Sequence, residues 1–197
     1  MKKISEKDFI IIYNQGVKNY KEGDYQKAIE NFQILIKQNP KDPQIKIALA
    51  SSYNNNGVKF YKENKISEAL EMFKKAFELE PTNPQYLENI KIAERKIKEQ
   101  KFYHLTMEAY AYFQNKEYEK ALKRLLDAKN IQPNNEAVDR ALAATYNAIG
   151  IKKYLNRKFK EAVKYFELAK KSNPANPKYE QNIKVVQNLM QKNLLNV

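Results

Sequence analysis

His104 is the chain's one imidazole, and there is no thiol, because cysteine is absent. A nucleophilic triad needs a serine, a histidine and a carboxylate converging on one point, and no such set is recognisable around His104. The sequence holds no H-E-x-x-H, no phosphate-cradling glycine loop and no calcium loop. The lack of cysteine removes disulfides, thiolate zinc sites and thiol catalysis. Glutamates and aspartates are scattered among lysines on helical faces, the pattern of a solvated surface. The expectation is a non-enzymatic chain that uses no metal and no cofactor, with His104 as a partly exposed helical side chain.

The densest charge is cationic. Lys152, Lys153, Arg157, Lys158, Lys160 and Lys164 lie within thirteen positions, and Lys170 and Lys171 follow. Formal net charge is +13, and it is uneven: residues 1–93 contribute +3 and residues 94–197 contribute +10. A basic half attracts phosphate backbones, acidic proteins or anionic lipid. Lys, Asn, Ile and Tyr are all abundant, as an AT-rich genome produces, so the charge is read first as composition. Nucleic acid would need a continuous patch paired with stacking aromatics. Phe159 and Phe166 are nearby but fit core positions, which leaves nucleic acid the lesser reading.

The elements that carry these residues follow a fixed spacing. A small residue, an alanine and a proline recur at intervals of twelve: Gly16–Ala28–Pro40, Gly57–Ala69–Pro81, Ala109–Ala121–Pro133 and Gly150–Ala162–Pro174. A fixed-length repeat of this kind marks a stacked-helix array. Copies one and three are 93 residues apart, as are copies two and four. Roughly four in ten positions agree between residues 48–93 and their later copy, so the chain reads as a tandem duplication.

All seven prolines fall between helical stretches. Pro40, Pro81, Pro133 and Pro174 cannot continue the preceding helix. Pro43, Pro84 and Pro177 suit a first helical turn, with Asp42, Asn83 and Asn176 as N-caps. Apolar residues within each copy follow the helical period, as in Ala28, Ile29, Phe32, Leu35 and Ile36. The expected helices are 5–22, 25–38, 43–63, 66–79, 84–115, 117–131, 135–156, 159–172 and 177–193. Short polar turns (EGD, ENK, NKE and NRK) join the paired helices. The stripes Tyr86, Ile90, Ala93 and Tyr179, Ile183, Val186 predict that residues 84–101 and 177–193 each cover the flank of the preceding pair.

These residues resemble the tetratricopeptide repeat family. Its signature of Gly-x2-Tyr, then Ala-x3-Phe, then Pro is matched in part by GVKNYKEGDYQKAIENFQILIKQNP from Gly16, and again from Gly57 and Gly150, with the tyrosine one place later than in the family. Copy three carries Ala109 for the glycine and Leu125 for the phenylalanine. The family's tryptophan is absent, its place held by Ile12, Tyr53, Leu105 and Tyr146, and the steps of 41 and 52 residues exceed the family's 34. The resemblance implies an all-α, right-handed solenoid of antiparallel helix hairpins in a single domain, 1–197. Its repeats would be 9–42, 50–83, 102–135 and 143–176, with an inserted helix 84–101 and a capping helix 177–193.

The resemblance also implies a concave groove lined by the first helix of each repeat, holding a peptide or helix of a partner protein. The matching positions are Tyr13, Val17, Tyr20, Asn54, Asn55, Val58, Tyr61, Tyr103, Tyr110, Phe113, Asn147 and Tyr154. Tyrosine combines apolar area with a hydrogen-bonding tip, and asparagine both donates and accepts. Some family members clamp a C-terminal carboxylate there. The places of that clamp hold Tyr13, Val17, Asn55, Tyr103 and Met107, of which only Asn55 fits. A self-assembling scaffold, docking through the C-terminal helix as a homo-oligomer, stays open as an alternative. The first residues have too short an apolar run for a secretory signal, and no stretch is long enough to span a membrane, so the expected location is cytoplasmic.

Overall fold

A computed structural model describes residues 4–195. Lys2 and Lys3 lie outside the described residues. Regular structure among those described is entirely helical: α1 (Glu6–Lys21), α2 (Tyr25–Gln38), α3 (Pro43–Lys62), α4 (Ile66–Leu79), α5 (Pro84–Gln114), α6 (Tyr118–Ile131), α7 (Glu136–Leu155), α8 (Phe159–Ser172) and α9 (Pro177–Leu195). Every boundary lies within two residues of its expected place. The chain is an α-solenoid of helical hairpins, and its contacts separate it into two compact units, Met1–Ile97 and Lys98–Val197. Within α5, residues up to Ile97 belong to the first unit and those from Lys98 to the second.

Each hairpin turn closes the same way. Gly23, Asn64, Lys116 and Arg157 take positive φ, between 57° and 79°. The positive-φ residue donates its N–H to the carbonyl three residues back, and the next residue donates five back, as in Gly23 N to Tyr20 O and Asp24 N to Asn19 O. This paired closure satisfies carbonyls that the helix end leaves free, and it requires one left-handed residue. Between hairpins, Asp42 and Asn135 each accept two backbone N–H groups at the starts of α3 and α7. Asn83 and Asn176 each accept one, from Gln85 and Lys178.

In the first unit, α2 buries Ala28, Ile29, Phe32 and Leu35, and α3 buries Ile45, Leu49, Ala50 and Tyr53 against them. Ile90 and Ala93 of α5 cover Ile66, Ala69 and Phe73 of α4, so the inserted segment does close the second hairpin. The second unit repeats the plan. Leu105 and Ala109 of α5 pack with Leu125 and Ala128 of α6 and with Val138 and Leu142 of α7. Ile183 and Val186 of α9 cover Ala162 and Phe166 of α8.

The repeated glycine has a sharper role than general helix closeness. A Cβ on Gly16 would stand 2.8 Å from the Phe32 ring, on Gly57 2.7 Å from Phe73, and on Gly150 2.6 Å from Phe166. The glycine therefore makes room for the ring sixteen residues on. Copy three changes both partners together, to Ala109 and Leu125, which lie in one core cluster.

Candidate functional site

The aromatic and amide residues on the first helix of each repeat fall into two groups. In the first unit most are consumed by the protein itself. Tyr13 meets the Phe32 ring edge-on, with centroids 5.9 Å apart. Asn55 Nδ2 donates to the Tyr20 hydroxyl at 2.6 Å, and Asn89 Nδ2 donates to Asn54 Oδ1 at 2.6 Å. Val58 and Tyr61 pack against the cluster of Ile66, Ala69 and Phe73. Tyr86 is buried within hydrogen-bonding range of Ser51, and that burial raises its phenol above the ordinary tyrosine value. The second unit repeats one of these bonds, with Asn182 Nδ2 donating to Asn147 Oδ1 at 2.8 Å. Tyr154 packs against Ala162, Phe166 and Phe159. Asn54, Asn55 and Asn147 are thus bonded within the chain, and Val58, Tyr61 and Tyr154 are half-buried against neighbouring side chains. The bonds between residues 35 apart join neighbouring helices, which spacing along one helix does not reveal.

The second group is open. Tyr103 and Tyr110 are 66% and 63% exposed, and Met107 between them is 50% exposed. At spacings of four and three they form one stripe along α5. Beside the stripe lies an apolar hollow of about 490 Å³ within the second unit. Phe102, Thr106, Tyr110 and Phe113 of α5 form one wall, Leu125 of α6 the floor, and Ala137, Ala141 and Ala144 of α7 the other wall. The counterpart in the first unit, lined by Val17, Tyr20, Phe32, Ala48 and Ser51, holds only about 180 Å³. Met107 was expected only as a clamp position, and the α7 alanines were not among the expected groove residues. The duplication carried part of the signal: 93 residues after Tyr13 and Ser51 stand the smaller Thr106 and Ala144, both lining the hollow.

The basic run is partly neutralised. Lys152 Nζ lies 3.2 Å from Glu119, Lys153 lies 2.6 Å from Glu161, and Lys158 lies 3.8 Å from the same Glu161. The hydrogen bond to Lys153 lowers the Glu161 pKa, and the reverse bond raises that of Lys153. Arg157 occupies the left-handed turn position, and Lys160 and Lys164 have no ion pair among the described residues. Phe166 is buried and Phe159 is half-buried against Tyr154, so neither offers a free stacking face. His104 is exposed, with Nε2 3.7 Å from Glu108. Among the described residues, no group of three or more His, Asp or Glu gathers as a metal site, and no helix is long and apolar enough to cross a membrane.

Residues 13–58, from α1 into α3, match the family model of the tetratricopeptide repeat. No curated protein matches the chain. Similar solved structures include the TPR2AB-domain:pHSP90 complex of yeast Sti1, at 18% identity over 95% of this chain and 73% of that one, with a TM-score of 0.41. MamA AMB-1 matches at 16% identity over 95% and 85%, TM-score 0.29. The first TPR of Spaghetti (RPAP3) bound to an HSP90 peptide matches at 20% identity over 72% and 93%, TM-score 0.28.

Proposed function

We propose that the chain, whose residues 13–58 match the tetratricopeptide repeat model, is a non-enzymatic adaptor that binds a segment of a partner protein on the open face of its second unit. The observation that carries this reading is the exposed stripe Tyr103, Met107, Tyr110 beside the apolar hollow. Exposed aromatic clusters bordering a concave apolar surface are where partner side chains gain most by leaving water. In the first unit, the equivalent surface is largely filled by Tyr13, Phe32, Tyr20 and Asn55. The second unit is therefore the main binding element, in a chain whose lack of cysteine suits the cytoplasm.

A clamp for a terminal carboxylate is disfavoured, because Asn55, its one matching residue, already gives its amide to Tyr20. Affinity capture with the wild type, with Tyr103→Ala/Tyr110→Ala and with Tyr61→Ala tests the proposal. A partner retained by wild type and Tyr61→Ala but lost from the double variant supports it. Equal recovery by all three removes it. Capture that collapses between low and moderate salt would instead favour phosphate binding through residues 152–171.

A further inference from the structure

Resting on that reading, we propose that the hollow between α5 and α7 is a socket for one phenylalanine side chain, carried by an acidic segment of the partner. The two units are copies at a 93-residue offset, so the first shows what fills this space when the chain fills it itself. There the Tyr13 ring packs edge-on against Phe32, and the Tyr20 hydroxyl is tied to Asn55. The second unit has Thr106, Leu125, Phe113 and Ala148 at those four places. Replacing a phenol by a threonine and a ring by a leucine leaves a hollow of about 490 Å³ where the first unit has about 180 Å³. What is missing is an aromatic ring, and an aromatic ring supplied from outside restores the packing.

The polar atoms lining the hollow select among aromatic residues. Thr106 Oγ1 donates to Tyr103 O at 2.9 Å, and Thr145 Oγ1 donates to Ala141 O at 2.8 Å. Asn135 spends its oxygen on the N–H groups of Ala137 and Val138 and its amide on Gln132. A phenol placed inside must find its partner among the Thr106 and Thr145 oxygens, the Gln114 amide and the Tyr110 hydroxyl, whereas phenylalanine fills the space without one.

Charge sets what flanks the ring. No carboxylate lines the hollow. Of the charged residues near the lining positions in sequence, Lys101 and Lys116 have no ion pair among the described residues, whereas Glu108 is paired with Arg124, Glu136 with Arg140 and Asp139 with Lys129. Residues 98–197 carry 19 Lys and Arg against 10 Asp and Glu. Aspartate or glutamate on either side of the phenylalanine completes the match and speeds encounter.

The test is selection of a random displayed peptide library on the full chain, followed by anisotropy titration of the enriched peptides. One variant, Thr106→Tyr/Ala109→Gly/Leu125→Phe, installs the first unit's residues together with the glycine its ring requires. A second, Ala144→Trp, plugs the mouth from an exposed position on α7 and serves if the first fails to fold. Enriched peptides should carry phenylalanine flanked by acids, and should bind either folded variant at least about tenfold more weakly. Peptides without an aromatic, or with unchanged affinity for the variants, overturn the socket. If such peptides still lose affinity for Tyr103→Ala/Tyr110→Ala, partner binding stands while the socket falls. A selection that enriches nothing overturns both.

Discussion

Gly150 lies beneath the ring of Phe166, so close that a Cβ at Gly150 would stand 2.6 Å from Phe166 Cε1. Phe166 is almost fully buried and cannot swing outward, so an added methyl group must displace packed neighbours. Gly150→Ala is therefore expected to destabilise the chain by about 1–3 kcal/mol. Copy three holds alanine and leucine at the corresponding pair, Ala109 and Leu125. Adding Phe166→Leu to Gly150→Ala should recover part of the loss. Urea unfolding of both single variants and the double variant measures this. Additive losses would show that the two positions do not compete for one space.

Asn56 Nδ2 is buried, with no hydrogen-bond partner among the described residues. Its counterpart in the second unit is Ile149, which is fully buried in the same helical position. An unsatisfied buried amide costs about 1–3 kcal/mol. Asn56→Ile should accordingly raise the unfolding free energy by about 1 kcal/mol. A lower melting temperature for this variant would mean that Asn56 has a partner unseen in the folded chain.

Lys116 and Arg157 hold φ of 61° and 57° at positions where the first hairpin has Gly23. A side chain costs roughly 1–2 kcal/mol in that conformation, and glycine's greater freedom when unfolded offsets part of it. Lys116→Gly and Arg157→Gly should each stabilise by up to about 1 kcal/mol, while Gly23→Ala should destabilise by a similar amount. Differential scanning calorimetry distinguishes these signs directly.

Glu161 carries a lowered pKa because Lys153 hydrogen-bonds to its carboxylate, with the Coulombic pull of Lys153 and Lys158 added. Glu180 is lowered in the same way by Lys170, which ties α9 to α8. A carboxylate with a lowered folded value contributes stability that is complete above its unfolded value and lost as pH falls through the folded one. Stability should therefore decline on acidification below the ordinary glutamate range, and less so in Glu161→Gln/Glu180→Gln. The difference is small, since these pairs are solvent-exposed, and added salt shrinks it further. Denaturation midpoints followed from neutral to acidic pH provide the comparison. Identical acid profiles for the two proteins would refute the assignment.

What the sequence determined by itself was everything local. Proline and glycine placement, capping residues and the apolar period act over a few positions, so the helices, the turns and the 93-residue duplication were legible without coordinates. The glycine–phenylalanine pairing was half legible: the residues repeat visibly, but the ring under which each glycine sits appears only when two helices face each other. The proposed binding face was the least legible. Tyr20 and Tyr110 look alike in a list of tyrosines, yet the Tyr20 hydroxyl is bonded to Asn55 on another helix, whereas Tyr110 stands exposed at the rim of a hollow. Only tertiary packing decided that difference, because free space is what remains after three helices have each placed their side chains. A single sequence states the size of every side chain but not which of them meet.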